Sequence, residues 1–402
     1  MITLPSQFLP VTIRIVVVVA CLFDIWNSWK VARADYLFRQ DTVESIRSAI
    51  SLTPDASEYY VRLAQFDDGH GRELLETALR LNQYNAQASI DLGLRYEATG
   101  DYFRAEKLLL QAFAVDHTYV ARWSLVNFYL RRDNMPAFWT WARRAAEMPA
   151  EDIGALFDLC WRVSPDPQKI AATMLNNNPE LLRQYLNFLL GKNQPLAAAE
   201  TAPRLIRTGT PEADRLLLFS VVNRLVSADD ATAANTLWHE LIQQRWVVAD
   251  TTVPNNAAFA RDPQPVSFDW TLSSFAGLNS WPGPSGLETE FTGSEPENSS
   301  IAEQTVALAP GNYMMKWSYR TTDIPPGTGI QWQIVDAKSD AVLATSPSLS
   351  NPTPTSASLP FSVPPDASLL RLRLMYQRAL GTPRISGTLM VRSVQIENGP
   401  KS

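Results

Sequence analysis

Four alanines, Ala49, Ala78, Ala112 and Ala146, recur at intervals of 29, 34 and 34 residues. A period of that length marks a stacked array, because a single helix pair cannot bury both its faces alone. The clearest unit runs over 86–119. It carries Leu92-Gly93 and Tyr96, then a Gly100-Asp101-Tyr102 break, then Ala105, Leu109 and Ala112. Apolar residues fall at helical spacing on both sides of the break, with small residues where two helices would cross.

That arrangement resembles the tetratricopeptide repeat, a 34-residue helix pair with small residues at the crossing and a large one filling the hole. The next unit has Trp123 where the pattern prefers Trp, and the preceding one has Tyr60, Leu63-Ala64 and Ala78 behind Pro54. Its 29-residue length predicts a shortened second helix or turn around Asp67–Gly71. Thr42–Ser51 reads as the second helix of a first unit. Beyond residue 150 the helix-pair rhythm persists over Ile153–Val163, Gln168–Leu175, Glu180–Leu190, Leu196–Ile206, Glu212–Val226 and Ala231–Arg245. Pro165-Asp166-Pro167, Asn178-Pro179, Asn193-Gln194-Pro195, Thr210-Pro211 and Asp229-Asp230 separate these segments. The resemblance covers about 36–246 and implies an α-solenoid whose concave groove holds a peptide or protein partner. It leaves the groove residues undefined. Trp123, Trp139, Trp141 and Trp161 read as inter-helix packing. Arg131, Arg132, Arg143 and Arg144 make either a basic rim or a solvated helix surface.

Ahead of the array, Ile15–Phe23 is an uncharged apolar run behind Arg14, ended by Asp24 and followed by Trp26, Trp29, Lys30 and Arg33. A helix from Ile15 to Trp29 spans about 22 Å, short of a ~30 Å hydrocarbon core. Snorkelling by Arg14 and interfacial placement of the two tryptophans make a thin single span workable. An uncleaved signal-anchor is the favoured reading. Val18-Val19-Ala20-Cys21 also has a lipobox shape that would lipidate Cys21, and Ala32-Arg33-Ala34 fits secretory cleavage after Ala34. For a bacterium, all three place the rest of the chain outside the cytoplasm, anchored in the inner membrane and facing the periplasm on the favoured reading.

Composition shifts after Trp246. Residues 265–402 hold 15 of the 28 prolines and show no helical period. Residues 247–264 read as a linker. Strand-like runs follow at 287–292, 301–308, 312–321, 329–336, 341–345, 356–362, 368–377 and 386–396, which predicts an antiparallel β-sandwich or jelly roll. Leu287–Arg320 resembles galactose-binding-like jelly rolls and carbohydrate-binding modules. Alternation separates two faces. Tyr313, Met315, Trp317, Tyr319, Ile330, Trp332, Ile334, Leu370, Leu372, Leu374 and Tyr376 form the core set. Lys316, Arg320, Gln331, Gln333, Arg371, Arg373 and Gln377 form the opposite set, an expected polar face. Arg and Gln offer planar, multi-donor groups suited to sugar hydroxyls or uronic carboxylates; an ordinary solvated sheet face is the alternative. Trp270 and Trp281 are stacking platforms or core lids.

No reaction is legible. The chain lacks G-x-S-x-G, P-loop and G-x-G-x-x-G signatures. His239-Glu240-Leu241-Ile242-Gln243 misses H-E-x-x-H at its last position, so His239 reads as a helix-surface or packing residue. His70 sits in a short Gly69-His70-Gly71 loop. Asp67-Asp68 and Asp229-Asp230 sit where helix capping explains them. Cys160 reads as a small core hydrophobe. With three His and two Cys, no metal site or disulfide framework is expected, and no cofactor. A net charge of −6 without a basic run argues against nucleic acid. The expectation is a multidomain α + β chain: an anchor over 1–35, a helical array over 36–246, a linker over 247–264 and a sandwich over 265–398. The function expected is a non-catalytic envelope scaffold in surface polysaccharide assembly or export. A general protein adaptor with a structural sandwich is the alternative, and a glycan-active enzyme a distant third.

Overall fold

The computed structural model describes residues 11–148, 153–250 and 252–399, with side chains from Ile15 onward. By packing, the chain divides into two units, Met1–Leu156 and Phe157–Ser402.

The first unit is helical: α1 (Val11–Phe38), α2 (Val43–Leu52), α3 (Ser57–Phe66), α4 (Gly71–Leu81), α5 (Ala86–Ala98), α6 (Tyr102–Val115), α7 (Tyr119–Arg131) and α8 (Met135–Ala146). Helix starts follow the local chemistry. Asn85 accepts from the Ala88 amide at 2.9 Å and Asp101 from the Arg104 amide at 3.1 Å. Gly100 takes φ +85° in the turn between α5 and α6, a conformation that favours glycine. At the α5–α6 crossing, Ala105, Leu109 and Ala112 are fully buried. A Cβ placed on Gly93 would lie 3.2 Å from Leu109 and 3.3 Å from the Ala105 carbonyl. Small residues are therefore required there by contact. The short repeat loses residues from both helices: α3 has 10 and α4 has 11, against 13 and 14 in α5 and α6.

Three local expectations change. First, α1 does not stop near Trp29 but runs 28 residues to Phe38. No Gly or Pro interrupts Lys30–Phe38, and Ala34, fully buried, packs with Ile46, Ala49, Tyr59 and Leu63. Asp35 Oδ1 accepts from the Tyr59 hydroxyl at 2.7 Å. The apolar helix therefore supplies the partner of α2 itself. Arg14, assigned a snorkelling role, has its side chain outside the described residues. Second, Asp67-Asp68 does not cap α4. Asp67 ends α3 and its Oδ1 accepts from the His70 amide at 3.0 Å. Third, Gln168–Leu175 is not one α-helix: α-helical turns give way to a π-helical stretch, Ala171–Leu175, before Asn176 turns left-handed.

The second unit contains α9 (Gly154–Val163, entering from the boundary), α10 (Pro167–Ile170), α11 (Pro179–Gly191), α12 (Pro195–Thr208), α13 (Pro211–Ser227) and α14 (Ala231–Gln243). Proline opens α10 to α13, where its missing N–H costs nothing. Two antiparallel sheets follow. The strands are β1 (Thr271–Leu272), β2 (Ser274–Phe275), β3 (Leu278–Gly283), β4 (Gly286–Thr292), β5 (Asn298–Ala307), β6 (Gly311–Thr322), β7 (Ile330–Asp336), β8 (Val342–Thr345), β9 (Thr355–Val363), β10 (Leu369–Gln377) and β11 (Ser386–Asn398). One sheet has the order β1-β5-β10-β7-β8 and the other β2-β3-β4-β11-β6-β9. The core set expected from alternation lies between them: Met315, Ile330, Trp332, Ile334, Leu370, Leu372, Leu374 and Tyr376 are fully buried.

The segment read as a linker is packed rather than free. Phe259 stacks against Trp270 at 4.8 Å. The Val253 and Ala257 carbonyls accept from the Ile396 and Val394 amides, each at 2.8 Å, so the segment runs along β11. On the helical side, Asn223 of α13 accepts from the Ser267 amide at 2.7 Å and donates to the Pro265 carbonyl at 3.2 Å. Trp238 meets Phe268 at 5.9 Å.

Candidate functional site

The seven polar residues expected to share a face do not. Lys316 and Arg320 stand on β6 in the six-stranded sheet, while Gln331, Gln333, Arg371, Arg373 and Gln377 stand on β7 and β10 in the five-stranded sheet. The two sheets point their outer faces in opposite directions, so the set divides. Alternation tells which side of a strand faces out but not which sheet the strand joins.

On the five-stranded sheet the charged members are already engaged. Arg373 donates to Glu303 at 2.7 Å and meets Asp340 at 3.0 Å; Arg371 meets Asp340 at 2.7 Å. Gln331 donates to Gln377 at 3.3 Å. The guanidinium ends of Arg371 and Arg373 are thus held by carboxylates of the same surface.

The six-stranded sheet is different. Its register places Trp281, Glu288, Met390 and Arg320 in one row across β3, β4, β11 and β6. Strands about 4.8 Å apart put roughly 14 Å between the ends of that row. A second row holds Asn279, Glu290, Thr388 and Thr322. On the other side, beyond a bulge between Val391 and Ser393, come Ser393-Ser318-Ser356 and Gln395-Lys316-Ser358. These side chains line two depressions, about 190 Å³ at Trp281, Glu288 and Arg320, and about 430 Å³ at Lys316, Ser358 and Gln395. Lys316 pairs with Glu397 at 2.7 Å, both half exposed, a contact worth little in water. Among the described residues Arg320 has no ion-pair partner. Chemically, the face offers hydroxyls, an amide and a free guanidinium beside a partly exposed indole. Groups of these kinds can hydrogen-bond hydroxyls and offer an apolar ring face for stacking. Trp281 is thus a surface residue of this face, whereas Trp270 is a core residue whose indole N–H donates to the Asn256 carbonyl at 3.2 Å. β3 escaped the sequence reading because Pro282 and Gly283 mask it; Trp281 was the one signal.

In the helical array, Ala78, Leu92, Ala105 and Ala112 are buried, Tyr60 and Tyr96 are partly buried against the α3–α5 cluster, Gly93 faces Leu109, and Trp123, half-buried, stacks on Tyr119 at 6.0 Å. Of the arginines, Arg131 grips Glu97 through two bonds of 2.7 and 2.6 Å, Arg132 lies 3.5 Å above the Tyr102 ring and Arg144 4.6 Å from Trp141. Leu94, Glu97, Tyr102 and Arg132 border an open depression of about 480 Å³. On α5, Asp91 accepts from Gln87 at 2.7 Å, and burial raises its carboxyl above the usual range. Cys160 is fully buried 3.5 Å from the Met174 sulfur, and burial pushes its thiol up to about 12. His239 is exposed on α14, its Nδ1 bonded to the Asn235 carbonyl. Among the described residues no group of three metal-ligating side chains occurs.

No family model matches the sequence, and no curated protein matches it. Solved structures resemble it in pieces. A CBM4 carbohydrate-binding module aligns to 36% of this chain and 99% of its own, at 11% identity and a TM-score of 0.29. YrrB, described as a TPR protein with an unusual peptide-binding site, aligns to 51% of this chain and 94% of its own, at 13% identity and 0.25. PilF of Pseudomonas aeruginosa aligns to 55% and 92%, at 15% identity and 0.25. Among the described residues the chain joins a series of helix pairs to two antiparallel sheets.

Proposed function

We propose that this chain is a non-catalytic, membrane-anchored adaptor of the bacterial cell envelope that contacts glycan through its six-stranded sheet and a protein partner through its helical array. The row Trp281–Glu288–Met390–Arg320, flanked by hydroxyl rows on an exposed sheet, carries this reading. Polysaccharide assembly or export is the process that would need both contacts in one chain. Its support is analogy between domain pairings, since folds host many functions.

Anchoring rests on α1. Ile15–Phe38 is long and apolar enough to cross a membrane, and a signal sequence passes the same test. Trp26 and Trp29, stacked at 5.1 Å, suit the interface. Cleavage after Ala34 would cut a continuous helix at a fully buried residue and strip α2 of part of its packing partner. Retention of α1 is the reading we adopt, and the intact mass of the purified protein tests it.

The glycan reading is tested by native electrophoresis of the full-length chain through gels containing purified envelope polysaccharide. Retardation is expected, weakened by Arg320→Ala and by Trp281→Ala and unchanged by Arg373→Ala. Equal mobility in the presence and absence of polysaccharide would refute it.

A further inference from the structure

Resting on the glycan reading of the six-stranded sheet, we propose that its ligand is an acidic glycan whose carboxylates are held by Arg320 and Arg392. Seven arginines occur from Arg261 onward. Arg261, Arg371, Arg373 and Arg378 donate to carboxylates, and Arg384 donates to the Glu295 carbonyl. The other two, Arg320 and Arg392, are exposed and have neither an ion pair nor a hydrogen bond among the described residues. Both stand on the outer face of the same sheet.

An irregularity in β11 brings Arg392 there. Val391 and Val394 are both fully buried, so strict alternation fails between them. The ladder with β6 slips at this point: Val391 faces Tyr319 and Ser393 faces the adjacent Ser318. Arg392 is the extra residue of a bulge, exposed beside half-buried Ser393. The turn between β3 and β4 packs on the bulge, where a Cβ on Gly286 would lie 2.7 Å from the Arg392 Cα. Met390 lies opposite Arg320 and two residues from Arg392, which makes the two arginines diagonal neighbours about 7–8 Å apart. Two like charges at that distance repel, and an anion between them removes the repulsion. Met390 lines the smaller depression and Ser393 the larger, so Arg392 stands between the two along β11.

The carboxylates of this face leave the arginine pair free. Glu397 is taken up by Lys316. Glu288 lies over Gly283, in the space a side chain there would fill, and β3 is on the side of β4 away from β11. Glu290 stands one row further off and two strands from Arg320. Unpaired cations thus occupy β6 and β11, and unpaired carboxylates occupy β4. That polarity turns the acid groups of a ligand toward β11. A planar guanidinium matches a carboxylate through two parallel N–H bonds, which suits a uronic acid.

The test is biolayer interferometry of the full-length chain, in a detergent without a sugar headgroup, on immobilised polygalacturonate, its methyl-esterified form and dextran sulfate. Polygalacturonate should bind, and esterification, which removes the charge but keeps the backbone, should weaken binding at least about tenfold. Arg392→Gln and Arg320→Gln should each weaken polygalacturonate binding about fivefold. Arg373→Gln removes the same charge from the opposite sheet and should change nothing. Equal binding of the esterified polymer, or wild-type affinity in Arg392→Gln, would overturn the inference. If Trp281→Ala still weakened binding in that case, the sheet face would stand without its acid preference. Tighter binding of dextran sulfate than of polygalacturonate would overturn the carboxylate assignment. Failure to bind polygalacturonate while envelope polysaccharide is still bound would sink this inference alone; failure to bind any polymer would sink the glycan reading with it.

Discussion

Gly93 and Leu109 meet where α5 crosses α6, and their coupling tests the repeat geometry. Leu109 is fully buried, and the residue opposite it has no side chain that could move into a void. Leu109→Ala should therefore cost about 3–4 kcal/mol, in the upper part of the range for such truncations. Gly93→Ala faces two opposed terms. Alanine is the better helix former by about 1 kcal/mol. Its Cβ would sit 3.2–3.3 Å from Leu109 and 3.3 Å from the Ala105 carbonyl, closer than ordinary contact, and overpacking of this kind costs about 1–3 kcal/mol. In the wild type the net effect is destabilising by up to about 2 kcal/mol. With Leu109 cut to Ala, the methyl enters vacated space and only the carbonyl contact remains, so the sign reverses and Gly93→Ala stabilises by about 0.5 kcal/mol. The double-mutant cycle thus yields a coupling of about 0.5–2.5 kcal/mol. Because the chain comprises two units, the right probe is local: native-state hydrogen exchange of the α5 and α6 amides, read by mass spectrometry. If Gly93→Ala shifts protection equally in both backgrounds, the crossing is looser than the geometry here and the reasoning fails.

Other expectations follow from single groups. Asp269 is buried and accepts from the Gln264 and Trp270 amides; burial holds its carboxyl above the usual range. The folded state then keeps the proton more tightly than the unfolded one, so this group's contribution is fully present below about pH 3.9 and is lost as pH rises through the folded pKa. The urea midpoint of wild type should fall relative to Asp269→Asn between pH 4 and 7, and a constant gap would refute the assignment. Cys160, with its thiol pushed up to about 12, should resist iodoacetamide at pH 8 until denaturant is added. Labelling of the native protein at Cys160, read by peptide mass, would contradict its burial. Arg373→Ala should leave polysaccharide retardation intact where Arg320→Ala reduces it at least severalfold; the reverse order would move the glycan face to the five-stranded sheet.

The helix pairs were legible because their constraint is local: Ala105, Ala112 and Gly93 recur where two helices touch, and caps such as Asn85 and Asp101 announce each start. Strand alternation likewise separated Leu372 and Trp332 from Arg373 and Gln333 without any fold in hand. Short β1 and β2 carry too few residues to show a period, and the residues of 247–264 read as a linker because their partners lie on β11, more than 130 positions away.

What the sequence alone determined, then, is every property set by neighbours within one helical turn or one strand. That covers the repeat, the sandwich class, the apolar helix and the division of each strand into inner and outer residues. What only tertiary structure decided is which outer residues stand together. Lys316 and Arg320 joined Trp281 and Glu288 because β6 pairs with β11, while Arg371 and Arg373 went to the opposite sheet because β10 pairs with β5 and β7. Strand pairing is a long-range choice made by the whole core, and no window of sequence contains it.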